Sequence, residues 1–511
     1  MNEVVDEIYE NETAEELYER IQREKERLIS KGKLKKQKKL PEISEDEIPF
    51  EIPKSWKWVR LGEIGDYKKG PFGSALKKSL FVPKGNNTIK VYEQKNAIKK
   101  DITLGEYYIS YDYFKSNMSS FEVQQNDILV SCAGTIGETY IIPSNFEKGI
   151  INQALMRIRL TSYIDKNYFL LVFDTLLRQL TIKDSKGSAI KNIPPFEKLK
   201  SYLFPFPPLS EQKRISELID RLFAKLDEAK EKALSALNTF ELRKAKILHL
   251  AIQGKLSKQL DEYETAEELY EKIQIEKEKL ISEGKLKKQK KLPEIFEDEI
   301  PFEIPKSWKW LRLGELSDTK DNSFADGPFG SNLKKEHYIN EPEVRIIQIS
   351  NIGEEGWKNE NVKYTSFIHA ETIKRSMVSC GDIVITKMMP AGRAIQVPDI
   401  EKNYILSSDV IKFVPHPLIN RKYLLYSINS NVFKNQIYDE VQGITRVRTS
   451  LMKIKSYLIP LPPLEEQKEI VKLLDNIFEK EEKAKKLIES TLNKIELVKK
   501  SILARAVRGE L

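Results

Sequence analysis

Two short segments carry residue types suited to holding a polyanion. GPFGSALKK (70–78) and GPFGSNLKK (327–335) each combine glycines, which let a backbone come close to a ligand, with a serine and two lysines. Contact with phosphate needs Lys, Arg and backbone N–H groups, whereas reading base edges needs Arg, Lys, Asn and Gln on exposed loops. On that chemistry the candidate DNA contacts of the first half are Lys68, Lys69, Phe72, Ser74, Lys77 and Lys78, then Asn152 and Gln153, then Lys191 and Asn192 within KGSAIKNI (186–193). Those of the second half are Phe329, Ser331, Lys334 and Lys335, then Lys387 and Arg393, Ser407 and Ser408, and finally Arg446 and Arg448 within ITRVRTS (444–450). The alternative for the GPFGS loops is a purely structural turn. The lysine run KLKKQKK, at 33–39 and again at 285–291, is either a solvated loop or a sequence-independent phosphate contact.

Other chemistries find no support. The two cysteines, Cys132 and Cys380, lie far apart without CxxC spacing, so neither a disulfide framework nor a zinc site is indicated. The histidines (His249, His337, His369, His416) are scattered as well. No GxxxxGK[ST] phosphate loop is present, and no glycine-rich methyl-donor loop follows a strand. Asn192-Ile-Pro-Pro-Phe196 departs from the Asn-Pro-Pro-aromatic motif of amino-methyltransferases, because the inserted isoleucine separates asparagine from proline. Pro398-Asp399-Ile-Glu-Lys402 is a poor nuclease match. No catalytic residue and no metal site is therefore expected. The balance of 85 Lys+Arg against 77 Asp+Glu, a net charge of +8, permits a polyanionic partner without requiring one. With 40% hydrophobic residues, no apolar run long enough to span a membrane and no secretory leader pattern, a soluble cytoplasmic protein is expected.

The candidate loops recur because the chain is written twice. Residues 12–66 and 264–318 align over 55 positions and differ at only eight: 20, 23, 27, 31, 44, 59, 64 and 65. PFPPLSEQKRI (205–215) returns as PLPPLEEQKEI (460–470), and AIQGKL (251–256) as AVRGEL (506–511). Between these borders the segments 67–204 and 319–459 share only scattered words, such as NDILVS (126–131) with GDIVIT (381–386). Near-identical borders around divergent interiors describe one architecture holding two different readers.

Five segments follow: an N-terminal helical segment (1–48), a first globular domain (49–204), a central helical region (205–300), a second globular domain (301–459) and a distal long helix (460–511). In the distal helix Ile470, Leu474, Ile477, Glu481, Ala484, Ile488, Thr491, Ile495, Val498 and Ile502 keep a heptad a/d period. The first copy matches with Ile215, Ile219, Leu222, Leu226, Ala229, Ala233, Ala236, Phe240, Arg243 and Ile247; only Glu481 and Arg243 interrupt with charge. A Pro-Pro pair precedes each helix and a glycine (Gly254, Gly509) ends it. About 40 residues give a rod of roughly 60 Å, and antiparallel pairing of two such rods would hold the domains apart. The domains read as mixed α/β (α+β). WKWVRLGEI and WKWLRLGEL alternate like strands, as do ETYIIP (138–143), MRIRL (156–160), VRIIQI (344–349) and VIKFV (410–414). Trp56, Trp58, Trp308 and Trp310 suit core packing better than base stacking.

The doubled SWKW–RLGE openings, the two GPFGS loops, NDILVS/GDIVIT, GSAIKNI and the PPLSEQKRI/PPLEEQKEI helix starts together resemble the specificity subunit of type I restriction–modification enzymes. The resemblance covers nearly the whole chain. It implies two target-recognition domains that read a bipartite, asymmetric double-stranded DNA site. It implies two methyltransferase subunits and then restriction–translocase subunits as partners, with S-adenosylmethionine, ATP and Mg belonging to them and no cofactor in this chain. Two departures weaken residue-by-residue transfer into the second domain: KMMPAGR (387–393) stands where the first has SCAGTIG (131–137), and GITRVRTS where the first has GSAIKNI. The other function classes are a self-contained DNA methyltransferase or nuclease, and a coiled-coil scaffold that does not touch DNA.

One consequence is measurable. If Lys77 and Lys78 each neutralise a phosphate, replacing either by alanine weakens binding evenly across DNA sequences and lowers the slope of log K against log salt by about 1. Titrations between about 50 and 200 mM salt check this; an unchanged slope would place the loop away from DNA.

Overall fold

The structure is a computed structural model describing residues 12–32, 39–178, 196–257, 264–288, 290–439 and 448–511. Helices α1 (Ala14–Ser30), α2 (Leu209–Ile252), α3 (Ala266–Ser282) and α4 (Leu464–Arg508) frame the repeats. Two compact units result, one comprising Met1–Ala233 with Ser490–Leu511 and the other Leu234–Glu489, so the division falls inside both α2 and α4. Among the described residues no helix is long and apolar enough to cross a membrane.

The repeated opening explains itself locally. α1 and α3 each begin on a capping box, Thr13 with Glu16 and Thr265 with Glu268, which satisfies otherwise unpaired first-turn N–H groups. α1 buries Leu17 and Ile21, and α3 buries Leu269 and Ile273. Tyr18 donates its hydroxyl to Glu63 at 3.0 Å, as Tyr270 does to Glu315 at 2.8 Å. Lys25 and Lys277 donate to the backbone carbonyls of Glu63 and Glu315.

WKWVRLGEI and WKWLRLGEL do not run as uninterrupted strands. Lys57–Arg60 and Lys309–Arg312 are strands, but 3-10 turns follow at Leu61–Glu63 and Leu313–Leu316. The glutamate causes the break: Glu63 accepts the Arg60 N–H at 2.7 Å and Glu315 that of Arg312 at 2.8 Å. The arginine side chains close each domain. Arg60 is 3% exposed and directs its guanidinium N–H groups to Glu47 and to the carbonyls of Pro41, Glu42 and Ser201. Arg312 repeats the pattern with Glu299, Pro293, Glu294 and Ser456. Both strands pair antiparallel with the last strand of their own domain, Leu203–Phe206 or Leu458–Leu461, so each interior begins and ends on one seam.

Each interior holds a four-stranded antiparallel sheet and a second sheet with one parallel pair, three-stranded in the first unit and five-stranded in the second. In the first, Gly65–Lys69, Leu155–Leu160, Ile128–Ser131 and Thr139–Ile141 form an antiparallel sheet in that order, while Thr88–Tyr92 lies between Tyr108–Ser110 and a parallel neighbour, Gly149–Ile151. In the second, Phe324–Asp326, Val410–Phe413, Ile383–Thr386 and Ala394–Gln396 give the first sheet. Val344–Ile347 there pairs parallel with Tyr404–Leu406. The fold is α/β as expected, and Trp56, Trp308 and Trp310 are buried.

The PPLSEQK and PPLEEQK words start α2 and α4 and also bind them to their domains. The fully buried Gln212 accepts the Asp165 N–H at 2.9 Å and donates to the Pro207 carbonyl; Gln467 does the same with Asn420 and Pro462. At the far ends Gly254 and Gly509 take φ of +71° and +72°, which L side chains rarely adopt. A Cβ at Gly254 would lie 2.6 Å from Pro305 and 3.2 Å from Trp308; at Gly509 it would lie 2.5 Å from Pro53 and 3.0 Å from Trp56. Each helix thus ends against the tryptophan that opens the other repeat.

The helices run antiparallel within each unit. In the first, Lys230 meets Glu496 while Asp227 meets Lys499, so a step back along one helix is a step forward along the other. In the second, the two charges that break the heptad period meet: Arg243 donates to Glu481 at 2.7 Å. The seam is deep at Ile215, Ile219, Ile470 and Leu474, but Ala229, Ala484, Thr491 and Val498 remain exposed.

Replacing Arg60 by Met leaves three carbonyls and Glu47 without their partner and is expected to cost about 2–4 kcal/mol in urea denaturation. Acid reports on the same tie. The Arg60 guanidinium, followed by the Ser44 N–H, holds the Glu47 carboxyl at about 2, down from 4.5. Between those values the unfolded chain binds the extra proton, so this contribution is complete above pH 4.5 and is lost as pH falls towards 2. Glu47→Gln should flatten stability against pH across that window.

Candidate nucleic-acid interface

In each unit the GPFGS loop borders a hollow. The first, of about 600 Å³, is lined by Lys68, Lys69, Phe72, Tyr113, Phe121 and Gln153 among others. The second, of about 400 Å³, is lined by Phe329, Asn332, Arg375, Lys387, Ser408 and Arg448 among others. Residues separated by more than 80 positions in the chain are thereby brought together.

The loop glycine makes this possible. Gly70 donates its N–H to Leu155, and a Cβ on it would lie 1.8 Å from the Asn152 carbonyl oxygen. Gly327 donates to Val410, and its Cβ would lie 1.8 Å from the Ser407 carbonyl oxygen. Only glycine lets these backbones touch. Asn152 and Ser407 are placed in turn by the parallel strand pairs, through N–H bonds to the Tyr92 and Ile347 carbonyls. The candidates Asn152–Gln153 and Ser407–Ser408 are therefore equivalent positions beside equivalent loops.

At the loop tips Phe72 is 88% exposed and Phe329 83%. Ser74, Lys77, Lys78, Ser331, Lys334 and Lys335 are exposed as well. Lys68 lays its ammonium 4.7 Å from the centre of the Phe121 ring, and Lys69 is exposed beside it. Gln153 is exposed; Asn152 is half-buried and accepts the Ala154 N–H on its side-chain oxygen. Exposed aromatic rings among cations suit stacking on bases alongside phosphate contact.

Two candidates, Lys387 and Arg393, depart from the expected exposed polar loop. Lys387 is 8% exposed and pairs with Asp326 at 3.0 Å, because it sits where the Thr386 strand end folds back under the loop. A phosphate would have to displace that carboxylate. Arg393 is half-buried, with its guanidinium on the Ile352 carbonyl and Glu354, and it is not among the residues lining the hollow. Arg448 does line it and is exposed, 3.8 Å from Asp409. Lys191, Asn192, Arg446 and most of the 33–39 lysine run lie outside the described residues. Tyr113, Asn117, Phe121 and Arg375 were not singled out from the sequence. Tyr113 follows the Ser110 N-cap, Asn117, Phe121 and Arg375 lie in the short turns Phe114–Met118, Ser119–Phe121 and Lys374–Ser376, and only the fold carries them to the loop. Cys132 is buried, its thiol pushed up to about 12 by that burial, whereas Cys380 is exposed; neither is in a disulfide.

The model of the type I restriction modification DNA specificity domain matches residues 53–238 and 305–494. The specificity subunit of the type I restriction enzyme EcoAI of Escherichia coli is 27% identical, over 94% of this chain and 87% of that protein. The EcoEI specificity subunit of Escherichia coli is 26% identical over 92% and 85%. The MjaVIII specificity subunit of Methanocaldococcus jannaschii is 25% identical over 87% and 92%. The crystal structure of the HsdS subunit from Thermoanaerobacter tengcongensis superposes with a TM-score of 0.57 at 18% identity, over 91% of this chain and 100% of that one, a likeness of fold.

Gly70→Ala drives a methyl group into the Asn152 carbonyl and should lose about 1–3 kcal/mol of stability, with weakened DNA binding. Gly73→Ala meets nothing within 4 Å and should leave both unchanged. Urea denaturation and a DNA-binding isotherm on the two variants separate close approach from mere loss of a glycine.

Proposed function

We infer the function of this chain from its family: it belongs to the type I restriction modification DNA specificity family, whose model matches most of its length. It is the DNA-recognition subunit of a type I restriction–modification complex and is itself non-catalytic. The observation that carries this reading is the pairing of two equivalent loop-and-hollow sites, Gly70 against Asn152 and Gly327 against Ser407, inside interiors that otherwise diverge. Equivalent frames with unlike linings suit a bipartite site whose two halves differ in sequence.

Methylation and cleavage belong to partner subunits, two methyltransferase subunits and then restriction–translocase subunits, which carry S-adenosylmethionine, ATP and Mg. A cytoplasmic setting goes with that role. Exposed apolar residues on the long helices support partner docking there: Leu242 and Leu487 are 74% and 66% exposed in the second unit, and Leu497 is 64% exposed in the first. Exposed leucines on a soluble helix favour an apolar partner surface.

Exchanging residues 67–204 for the equivalent segment of a relative tests the assignment. With partner methyltransferase subunits added, mapping of methylated adenines should show one half of the site altered and the other intact. A change in both halves, or in neither, would sink the modular reading, and methyl incorporation by the purified chain alone would overturn its non-catalytic role.

A further inference from the structure

The two recognition loops are tethered at the same atom by different chemistry. In the first unit Tyr113 donates its hydroxyl to the Ala75 carbonyl at 2.7 Å. In the second, His369 Nε2 lies 2.9 Å from the Asn332 carbonyl. Ala75 and Asn332 are the sixth residues of GPFGSALKK and GPFGSNLKK. Tyr113 and His369 are each the third residue after a serine that caps a short helix, Ser110 for Tyr111–Tyr113 and Ser366 for Phe367–Thr372. Position and target are shared; only the donor differs.

The second tether has another part. The His369 ring stacks on His337, centroids 4.0 Å apart and planes 24° apart. His337 Nδ1 accepts the N–H of Lys334, another residue of the same loop, at 3.0 Å. The first domain has Leu80 and Tyr113 at these places, and residues 49–204 contain no histidine. We propose that His337 and His369 are positioning residues that clamp the second recognition loop for reading of the second half-site, as Tyr113 holds the first loop for the first.

Both histidines act on the loop backbone. His369 donates from Nε2 to the Asn332 carbonyl, and His337 accepts the Lys334 N–H on the ring nitrogen that carries no hydrogen. Glu336 lies 3.7 Å from His337 Nε2 and 3.6 Å from Lys334, and Glu343 accepts the Phe367 N–H that starts the helix carrying His369. Asparagine could replace the His337 acceptor, as Asn96 and Asn351 do for Glu93 and Gln348 in the same three-residue arrangement.

This inference rests on the loop touching DNA, and the test separates the two claims. Hydrogen exchange of the full-length protein without DNA, corrected for intrinsic rates, reads the clamp. His369→Phe should speed exchange of amides 329–337 roughly fivefold, His369→Gln should restore protection through its own N–H donor, and loop 70–78 should not respond. Tyr113→Phe should act on loop 70–78 alone. Binding to DNA bearing one altered half-site at a time, with methyltransferase subunits present, reads the consequence. Discrimination at the second half should fall in His369→Phe and hold in His337→Asn, whereas discrimination at the first half should fall in Tyr113→Phe alone. Unchanged exchange in His369→Phe would overturn the clamp. Faster exchange with unaltered half-site discrimination would keep the clamp and overturn the placement of the loop on DNA.

Discussion

Everything else depends on how each long helix ends. A helix stops cleanly when a residue can turn left-handed at its C-terminus. Here Gly254 and Gly509 do so while leaving room for a proline ring and a tryptophan edge. The tryptophan belongs to the opening of the repeat that did not supply the helix. Neither repeat can complete its own core: Ala506 and Val507 fill the first, and Ala251 and Ile252 the second. The near-identity of the borders follows from this reciprocity, since a change at either tryptophan must suit a helix end supplied by the other repeat.

Against that frame the interiors diverge in sequence. Arg60 and Arg312 fasten the first strand to the last through carbonyls, and carbonyls place little demand on side-chain identity at Pro41, Ser201 or their counterparts. The GPFGS loops are then held through backbone carbonyls, those of Leu155 and Val410 accepting from Gly70 and Gly327 on one side and those of Ala75 and Asn332 facing Tyr113 and His369 on the other. Such a mounting keeps its geometry while the side chains it presents are exchanged.

Much of this was legible from residue types. The doubled borders, the helix limits, the heptad seam and the loops that flank the hollows all rest on local patterns of spacing and of Gly and Pro. What stayed hidden was set by contacts distant in sequence. WKWVRLGEI alternates like a strand, yet Glu63 reaches back to Arg60 and turns it. Arg243 and Glu481 looked like defects in two separate heptads and are one ion pair. Lys387 sits in a polar word that reads as exposed loop, and only the placement of Asp326 buries it. Tyr113 and His369 gain their role solely from where a serine-capped turn comes to rest.

The identity of the borders also sets a kinetic problem. The groups by which α1 grips its domain, Leu17, Tyr18, Ile21 and Lys25, are the same types by which α3 grips the other: Leu269, Tyr270, Ile273 and Lys277. While the chain folds, either helix fits either seat. Contact energy cannot tell the seats apart, so chain length must. Tyr18 and Glu63 are 45 residues apart, whereas the wrong glutamate is roughly six times farther along the chain, a difference in closure entropy of about 1.5–2 kcal/mol. A preference that small is an equilibrium bias of only about twentyfold, so correct assembly owes as much to early folding of each local pair as to any specificity in the contacts themselves.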